Sequence, residues 1–231
     1  MLKVGGLSCV RGPRTLFRDL SFAALPGDIV QVTGPNGSGK TTLLRTLAGL
    51  SRADAGTIEW NGGQGSRDTV DTPGTRGGQG TPGTHATQGT QGVPALAHSR
   101  AYVGHAAGWS GTLSAADNLI LAWQLDGEAA AREPGAVVAA LEGMGLVRQR
   151  NLPVARLSQG QRKRLHLARL SRSTRPLWLL DEPSSALDDA GQQLLEALLG
   201  AHAAAGGIAV VATHHPVAAA GATIRRIELG G

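Results

Sequence analysis

Two runs in this chain are apolar at every position over the length of a strand, Leu177-Trp-Leu-Leu180 and Ile208-Ala-Val-Val-Ala212. A strand with one wet face alternates apolar and polar residues. Unbroken runs instead predict strands buried on both faces, as in a parallel sheet flanked by helices. A third strand, Ile29-Val-Gln-Val-Thr33, follows the turn signal Pro26-Gly27-Asp28. A helical run from Thr42 to Ala48 comes soon after it, closed by Gly49 as a C-cap. Leu2 to Phe22 reads as short strands around a turn at Gly12-Pro13, and Thr57-Ile-Glu-Trp60 returns to strand. Further on, Ser114-Ala-Ala-Asp117 opens a helix from Ala115 to Gln124 in the manner of a capping box. Alanine-rich sequence from Glu128 to Gly143 continues as helix with breaks at Pro134-Gly135 and Gly143, and Arg162 to Arg172 forms another helix. Strands alternating with helices predict one α/β domain over residues 1–231.

That pattern stops at Asn61 and resumes at Ala101-Tyr-Val-Gly-His105. Between them the chain is Thr, Gly, Gln and Pro, with a near-repeat of Thr72 to Gly80 in Thr81 to Gly89. Such composition cannot bury enough apolar surface to offset its ordering entropy. Residues 62–98 are therefore expected to be a disordered low-complexity insertion in a surface loop, replaceable over 64–96 by a short Gly-Ser loop.

Composition narrows the setting. The single cysteine, Cys9, excludes an internal disulfide and fits a reducing compartment. No stretch approaches the ~20 apolar residues that span a bilayer, and the first residues lack the apolar core of a signal peptide. A role at a membrane would need recruitment by another subunit. The net charge is +5, with Arg162, Lys163, Arg164, Arg169, Arg172 and Arg175 close together. Without interleaved aromatic residues this cluster reads as a solvated helix face rather than a nucleic-acid surface.

The chemistry starts at Gly34-Pro35-Asn36-Gly37-Ser38-Gly39-Lys40-Thr41, which fits G-x-x-x-x-G-K-[ST] between a strand and a helix. Glycines let backbone N–H groups turn onto phosphate oxygens, and the following helix adds its positive N-terminal end. Lys40 would neutralise the β- and γ-phosphates and the Thr41 hydroxyl would join Mg²⁺, with Thr42 next in the loop. Asp181-Glu182 ends the strand Leu177 to Leu180, where ligands bind in parallel sheets. Asp181 would hold Mg²⁺ through water, and Glu182 would polarise the attacking water. Leu157-Ser158-Gln159-Gly160-Gln161 opens the basic helix, a start that capping alone would explain.

With the phosphate loop, this signature and the acidic strand in this order, the chain resembles the ATP-binding subunits of ABC transporters. Their signature is Leu-Ser-Gly-Gly-Gln; here Gln159 replaces the first glycine. The resemblance implies an ABC-type P-loop NTPase with a mostly parallel sheet core, N-terminal antiparallel β strands and an inserted helical subdomain, residues 108–155. It implies ATP and Mg²⁺ as ligands and a two-fold dimer. Each ATP would lie between one subunit's phosphate loop and the other's Leu157–Gln161. Ser185-Ala186-Leu187-Asp188 resembles the loop that communicates across that dimer. His214 resembles the switch histidine that meets the γ-phosphate, with the adjacent His215 as the other candidate.

Softer matches resemble one branch, the CcmA ATPases of cytochrome c maturation. These are Leu7-Ser-Cys-Val-Arg11 followed by Arg14, Leu16 and Phe17, the segment Tyr102-Val-Gly-His105, and Leu167 to Leu170. In that branch His105 stands where a glutamine usually reaches Mg²⁺ and the attacking water, which would make the charge there pH-dependent. Arg11 stands near the usual adenine-stacking tyrosine. Either its guanidinium stacks on adenine or adenine is held loosely. The branch implies haem export or handling, a CcmB-like permease, a CcmC-like haem-handling membrane protein and a peripheral place on the cytoplasmic face of the bacterial inner membrane. Other readings are the ATPase of another small-molecule exporter, or a soluble ABC-type ATPase acting on nucleic acid. A long coiled coil or second cassette, which the latter would need, is absent from the sequence.

Overall fold

The computed structural model describes residues 1–62, 66–71, 99–104 and 108–230. Two sheets divide the strands. The first is antiparallel, in the order β2–β1–β4–β5, from β1 (Leu2–Arg11), β2 (Arg14–Ala24), β4 (Ala55–Gly62) and β5 (Ser66–Asp71). The second is parallel, in the order β6–β7–β8–β3–β9. Its strands are β3 (Asp28–Thr33), β6 (Arg100–Val103), β7 (Leu177–Asp181), β8 (Ile208–Ala212) and β9 (Thr223–Glu228).

The unbroken apolar runs have the expected cause. Successive side chains of a strand point to opposite faces, and here both faces are dry. Trp178, Leu180, Ala209 and Val211 pack into a core with the helices α2 (Ala115–Asp126), α3 (Ala136–Gly143), α4 (Gln159–Leu170) and α5 (Asp189–Ala204). Leu177, Leu179, Ile208 and Val210 pack the other way, against the antiparallel sheet and α1 (Lys40–Leu47). The parallel strands thus hold both cores at once and deliver their C-terminal ends to one edge.

Two expectations need correction. Ser66–Asp71 lies inside the stretch read as a disordered insertion, yet it is strand, paired from Thr57↔Asp71 to Gly62↔Ser66. An outer strand needs one bonded edge rather than a buried face, so polar composition concealed it. Replacing residues 64–96 would remove this strand. Residues 72–98 lie outside the described residues, as does His105. The second correction concerns the basic cluster. Arg169 holds Asp126 through two bonds of 2.6 and 2.8 Å, and Arg175 donates to the carbonyls of Arg100 and Asp126. Arg162 donates to the carbonyls of Val154 and Ala155. These charges fasten α4 and the segment after it to the surrounding helical region instead of facing solvent. The fully buried Trp123 adds a bond from its Nε1 to the Arg169 carbonyl at 3.0 Å.

Buried His166 lies under that helical region, stacked on Trp109 with ring centroids 4.6 Å apart. Burial foremost, then the charges of Lys163 and Arg169, lower its pKa to about 3. The unfolded imidazole takes a proton near the ordinary value of 6.5. Between these values the unfolded state binds the extra proton, so stability is full above pH 6.5 and falls as the pH drops. The limiting slope is about 1.4 kcal/mol per pH unit for one group. Urea unfolding at pH 7.5 and pH 5 should show this loss, and His166→Phe should reduce it. Equal pH dependence in the two proteins would exclude His166 as its source. Among the described residues, no helix is long and apolar enough to cross a membrane.

Candidate functional site

The loop Gly34–Thr41 leaves the end of β3 and enters α1. Gly34 has φ +140°, and a side chain there would run into the Leu229 carbonyl. Gly39, at φ +102°, would set a Cβ 3.0 Å from that of Leu16. Glycine at both positions lets the backbone adopt these conformations and approach its neighbours. Lys40 is 7% exposed. Its Nζ donates to the Gly34 carbonyl at 2.7 Å and the Pro35 carbonyl at 3.2 Å. It also lies 3.1 Å from His214 Nε2.

β7 ends in Asp181, 1% exposed, whose Oδ2 is buried without a hydrogen-bond partner. Glu182 follows with φ +49°, an unusual conformation for a residue with a Cβ. The surroundings hold it there. Its N–H donates to the Ala212 carbonyl at 2.8 Å. Its own carbonyl accepts from Lys163 Nζ at 2.8 Å and Ser185 Oγ at 2.9 Å. Burial lowers the pKa of Lys163, and the nearby Asp181 and Glu182 carboxylates oppose that shift. The turn brings Glu182 Oε1 within 3.6 Å of His214 Nε2.

His214 leaves the end of β8. Thr213, 1% exposed, anchors that turn through its N–H to the Val32 carbonyl and its Oγ1 beside Ser184 Oγ. The same Oγ1 accepts from the His215 N–H at 3.1 Å. His214 Nε2 meets Asn36 Oδ1 at 3.1 Å, besides Lys40 and Glu182. His215 lies by Pro216 and Val217 in a separate small cavity, and its carbonyl accepts from Gln31. Of the two adjacent histidines, His214 is therefore the one at the loop.

Asn36, Gly37, Gly39, Lys40, Thr41, Thr42, Asp181 and Glu182 thus line one cleft of about 390 Å³, with Leu16 as an apolar wall. The orphaned Asp181 oxygen and the exposed Thr41 in the same cleft fit a hard cation such as Mg²⁺. That ion keeps several waters and uses one or two protein oxygens plus phosphate.

Leu157–Gln161 lines neither this cleft nor its neighbour. Ser158 caps α4, accepting from the Gln161 N–H at 3.1 Å, while Gln161 Oε1 accepts from the Ser158 N–H at 2.9 Å. A Cβ on Gly160 would lie 2.8 Å from the Ala186 carbonyl, so the signature abuts Ser185–Asp188. Asp188 caps α5 through the Gly191 N–H and takes a 2.6 Å ion pair from Arg164. That hydrogen bond from Arg164, then the one from Gly191, lowers its pKa.

Arg11 is the candidate the fold leaves out. Its guanidinium donates to the carbonyls of Val10 and Arg52 and lies 3.7 Å from Asp54. It lines neither cleft at the phosphate loop. The hairpin tip directs it toward the turn before β4, so stacking on a base in the cleft is not supported by its position. The sequence reading also missed Leu16 and Lys163. Apolar alternation along β2 could have flagged Leu16, but only folding brings Lys163 under Glu182.

The sequence profile of ABC transporters matches residues 17–185. The chain is 37% identical over 229 residues to the cytochrome c biogenesis ATP-binding export protein CcmA of Yersinia pseudotuberculosis, covering 99% of this chain and 93% of that one. It is 41% identical over 228 residues to the protein of the same description from Nitrobacter hamburgensis, covering 98% and 96%. Among solved structures it is similar to an ABC transporter ATP-binding protein from Pyrococcus furiosus, with a TM-score of 0.74, 20% identity and 99% and 96% of the two chains covered. It also resembles a dimeric ATP-binding cassette in a post-hydrolysis state with ADP and Pi, with a TM-score of 0.70, 21% identity and 93% and 88% covered. These last two likenesses concern the fold.

Proposed function

Because the chain belongs to the ABC transporter family, and within it to the CcmA group of cytochrome c biogenesis ATP-binding export proteins, we propose that it is the ATP-hydrolysing subunit of a membrane complex that handles or exports haem during c-type cytochrome assembly. The observation that carries the reading is the convergence of Lys40, Asp181, Glu182 and His214 at the ends of β3, β7 and β8.

In this reading the amides of Gly34–Lys40 and the Lys40 ammonium bind the ATP phosphates. Lys40 exchanges its carbonyl partners for phosphate oxygens as it does so. Thr41 and Asp181 hold Mg²⁺, which supplies neutralisation of phosphate charge. Glu182 takes a proton from the attacking water, and His214, beside both Glu182 and Lys40, orients the γ-phosphate. Phosphoryl transfer has a loose transition state, so positioning and electrostatics supply most of the catalysis.

The signature lies away from the phosphate loop of its own chain, which supports a two-fold dimer in which each site is completed by the other subunit's Leu157–Gln161. ATP binding then closes the dimer and hydrolysis opens it. The partners are a CcmB-like permease, docked through helical residues from about 108 to 151, and a CcmC-like haem-handling protein. The place of action is the cytoplasmic face of the inner membrane.

The role is testable by haem staining of denatured extracts, since thioether-bound haem survives the gel. A strain whose only copy carries Lys40→Ala should make apocytochromes c without covalent haem. Normal c-type haem bands in that strain would refute the cytochrome role and leave the ATPase reading standing.

A further inference from the structure

The first hairpin ends in two arginines, Arg11 and Arg14, paired across its tip. They finish in different places. Arg11 is occupied by Asp54 and two carbonyls, as described. Arg14 instead reaches the phosphate loop, its Nη1 3.4 Å from where a Cβ on Gly37 would stand. β2 is irregular here, stepping twice from Thr15 to Phe17 against one step of β1 from Val10 to Cys9, and both Leu16 and Phe17 lie against Gly39. Leu16 lies against Gly39 as Arg14 lies against Gly37. β2 therefore crosses over the loop, with its cation above the loop's middle.

Arg14 also lines a second cleft of about 560 Å³, which shares Leu16 and Gly37 with the first. Arg18 and Glu228 lie on the same wall. Among the described residues, the Arg14 guanidinium has no hydrogen bond and no ion pair, with Glu228 or any other group. A guanidinium stays charged at any working pH and its fork suits phosphate oxygens. Here it stands without a charged partner beside a loop that fits the phosphate-cradling pattern.

Resting on the ATPase reading above, we propose that Arg14 is a phosphate-binding residue of the nucleotide site, reaching over Gly37 to the polyphosphate chain, and that Arg11 is structural. The contact draws on charge rather than on the base, so it is indifferent to nucleobase identity.

Equilibrium binding of ATP and of inorganic tripolyphosphate tests this. Arg14→Ala should weaken both by about 10- to 100-fold, the worth of one hydrogen bond to a charged group. Arg14→Lys should recover part of the loss. The Arg14 side chain is exposed and bonded to no described residue, so the melting temperature should not move. Arg11→Ala should lower the melting temperature while changing either affinity by less than about two-fold, as a residue whose bonds are all internal. Wild-type affinity for ATP in Arg14→Ala would overturn the proposal. So would a loss for ATP without one for tripolyphosphate, which would put Arg14 on the base or ribose, or an equal loss in Arg11→Ala. A wild-type protein that binds neither ligand, or a Lys40→Ala variant that binds as wild type does, would strike the ATPase reading itself.

Discussion

Lys40→Ala is expected to remove ATP binding and hydrolysis together. The ammonium is nearly buried and is the charge at the centre of the loop, held by the Gly34 and Pro35 carbonyls and close to His214. Nothing else in the cleft lining is a cation. Removing it leaves the cleft lining without a protein cation of its own to face the phosphate chain. A preorganised electrostatic contact of this kind is worth about 10²–10³-fold. The fold should survive, because the two carbonyls it frees belong to half-buried Gly34 and exposed Pro35. The check is nucleotide titration beside a thermal melt. ATP affinity within a few-fold of wild type, in a folded variant, would remove Lys40 from the site.

Glu182→Gln should separate what Lys40→Ala destroys jointly. Glutamine keeps the shape of the side chain, and the backbone that sets its direction is fixed by Ala212, Lys163 and Ser185 through main-chain atoms that the substitution leaves alone. The variant should bind ATP normally. It cannot accept the proton of the attacking water, so turnover should fall by roughly 10²–10⁴-fold. Binding without hydrolysis should accumulate a closed dimer, visible as a shift in size-exclusion elution with ATP and its absence with ADP. Equal turnover in wild type and variant would take the general-base role from Glu182.

How much of this was legible in the sequence follows from how local each feature is. The phosphate loop, Asp181-Glu182 and the strands around them are short contiguous patterns, and each falls where it was expected. The sequence favoured His214 over His215 through the Thr-His order, but adjacent residues share too many local signals for that to be decisive. Only the turn after β8, pinned by Thr213, sends one to Lys40 and the other away. Arg11 and Arg14 show the opposite failure. Motif position favoured Arg11, whereas the distant Asp54 and the path of β2 over Gly37 decide where each guanidinium goes. β5 and β9 escaped notice because outer strands can be polar. Thr223–Glu228 shows neither a continuous apolar run nor a fully buried side chain. The internal partners of the α4 arginines were hidden for the same long-range reason.

The close seat of Gly160 against the Ala186 carbonyl, with the Arg164–Asp188 ion pair beside it, bears on timing between two sites. At this point the start of α4 and the loop before α5 are in close contact, with no room for a side chain at Gly160. Glu182 opens that same loop and is held by Lys163 of α4. A subunit's catalytic turn is therefore mechanically continuous with the surface it would offer to its partner's nucleotide. A push on one arrives at the other without a relay of intermediate residues, so the clock of one site would be set by the occupancy of its twin.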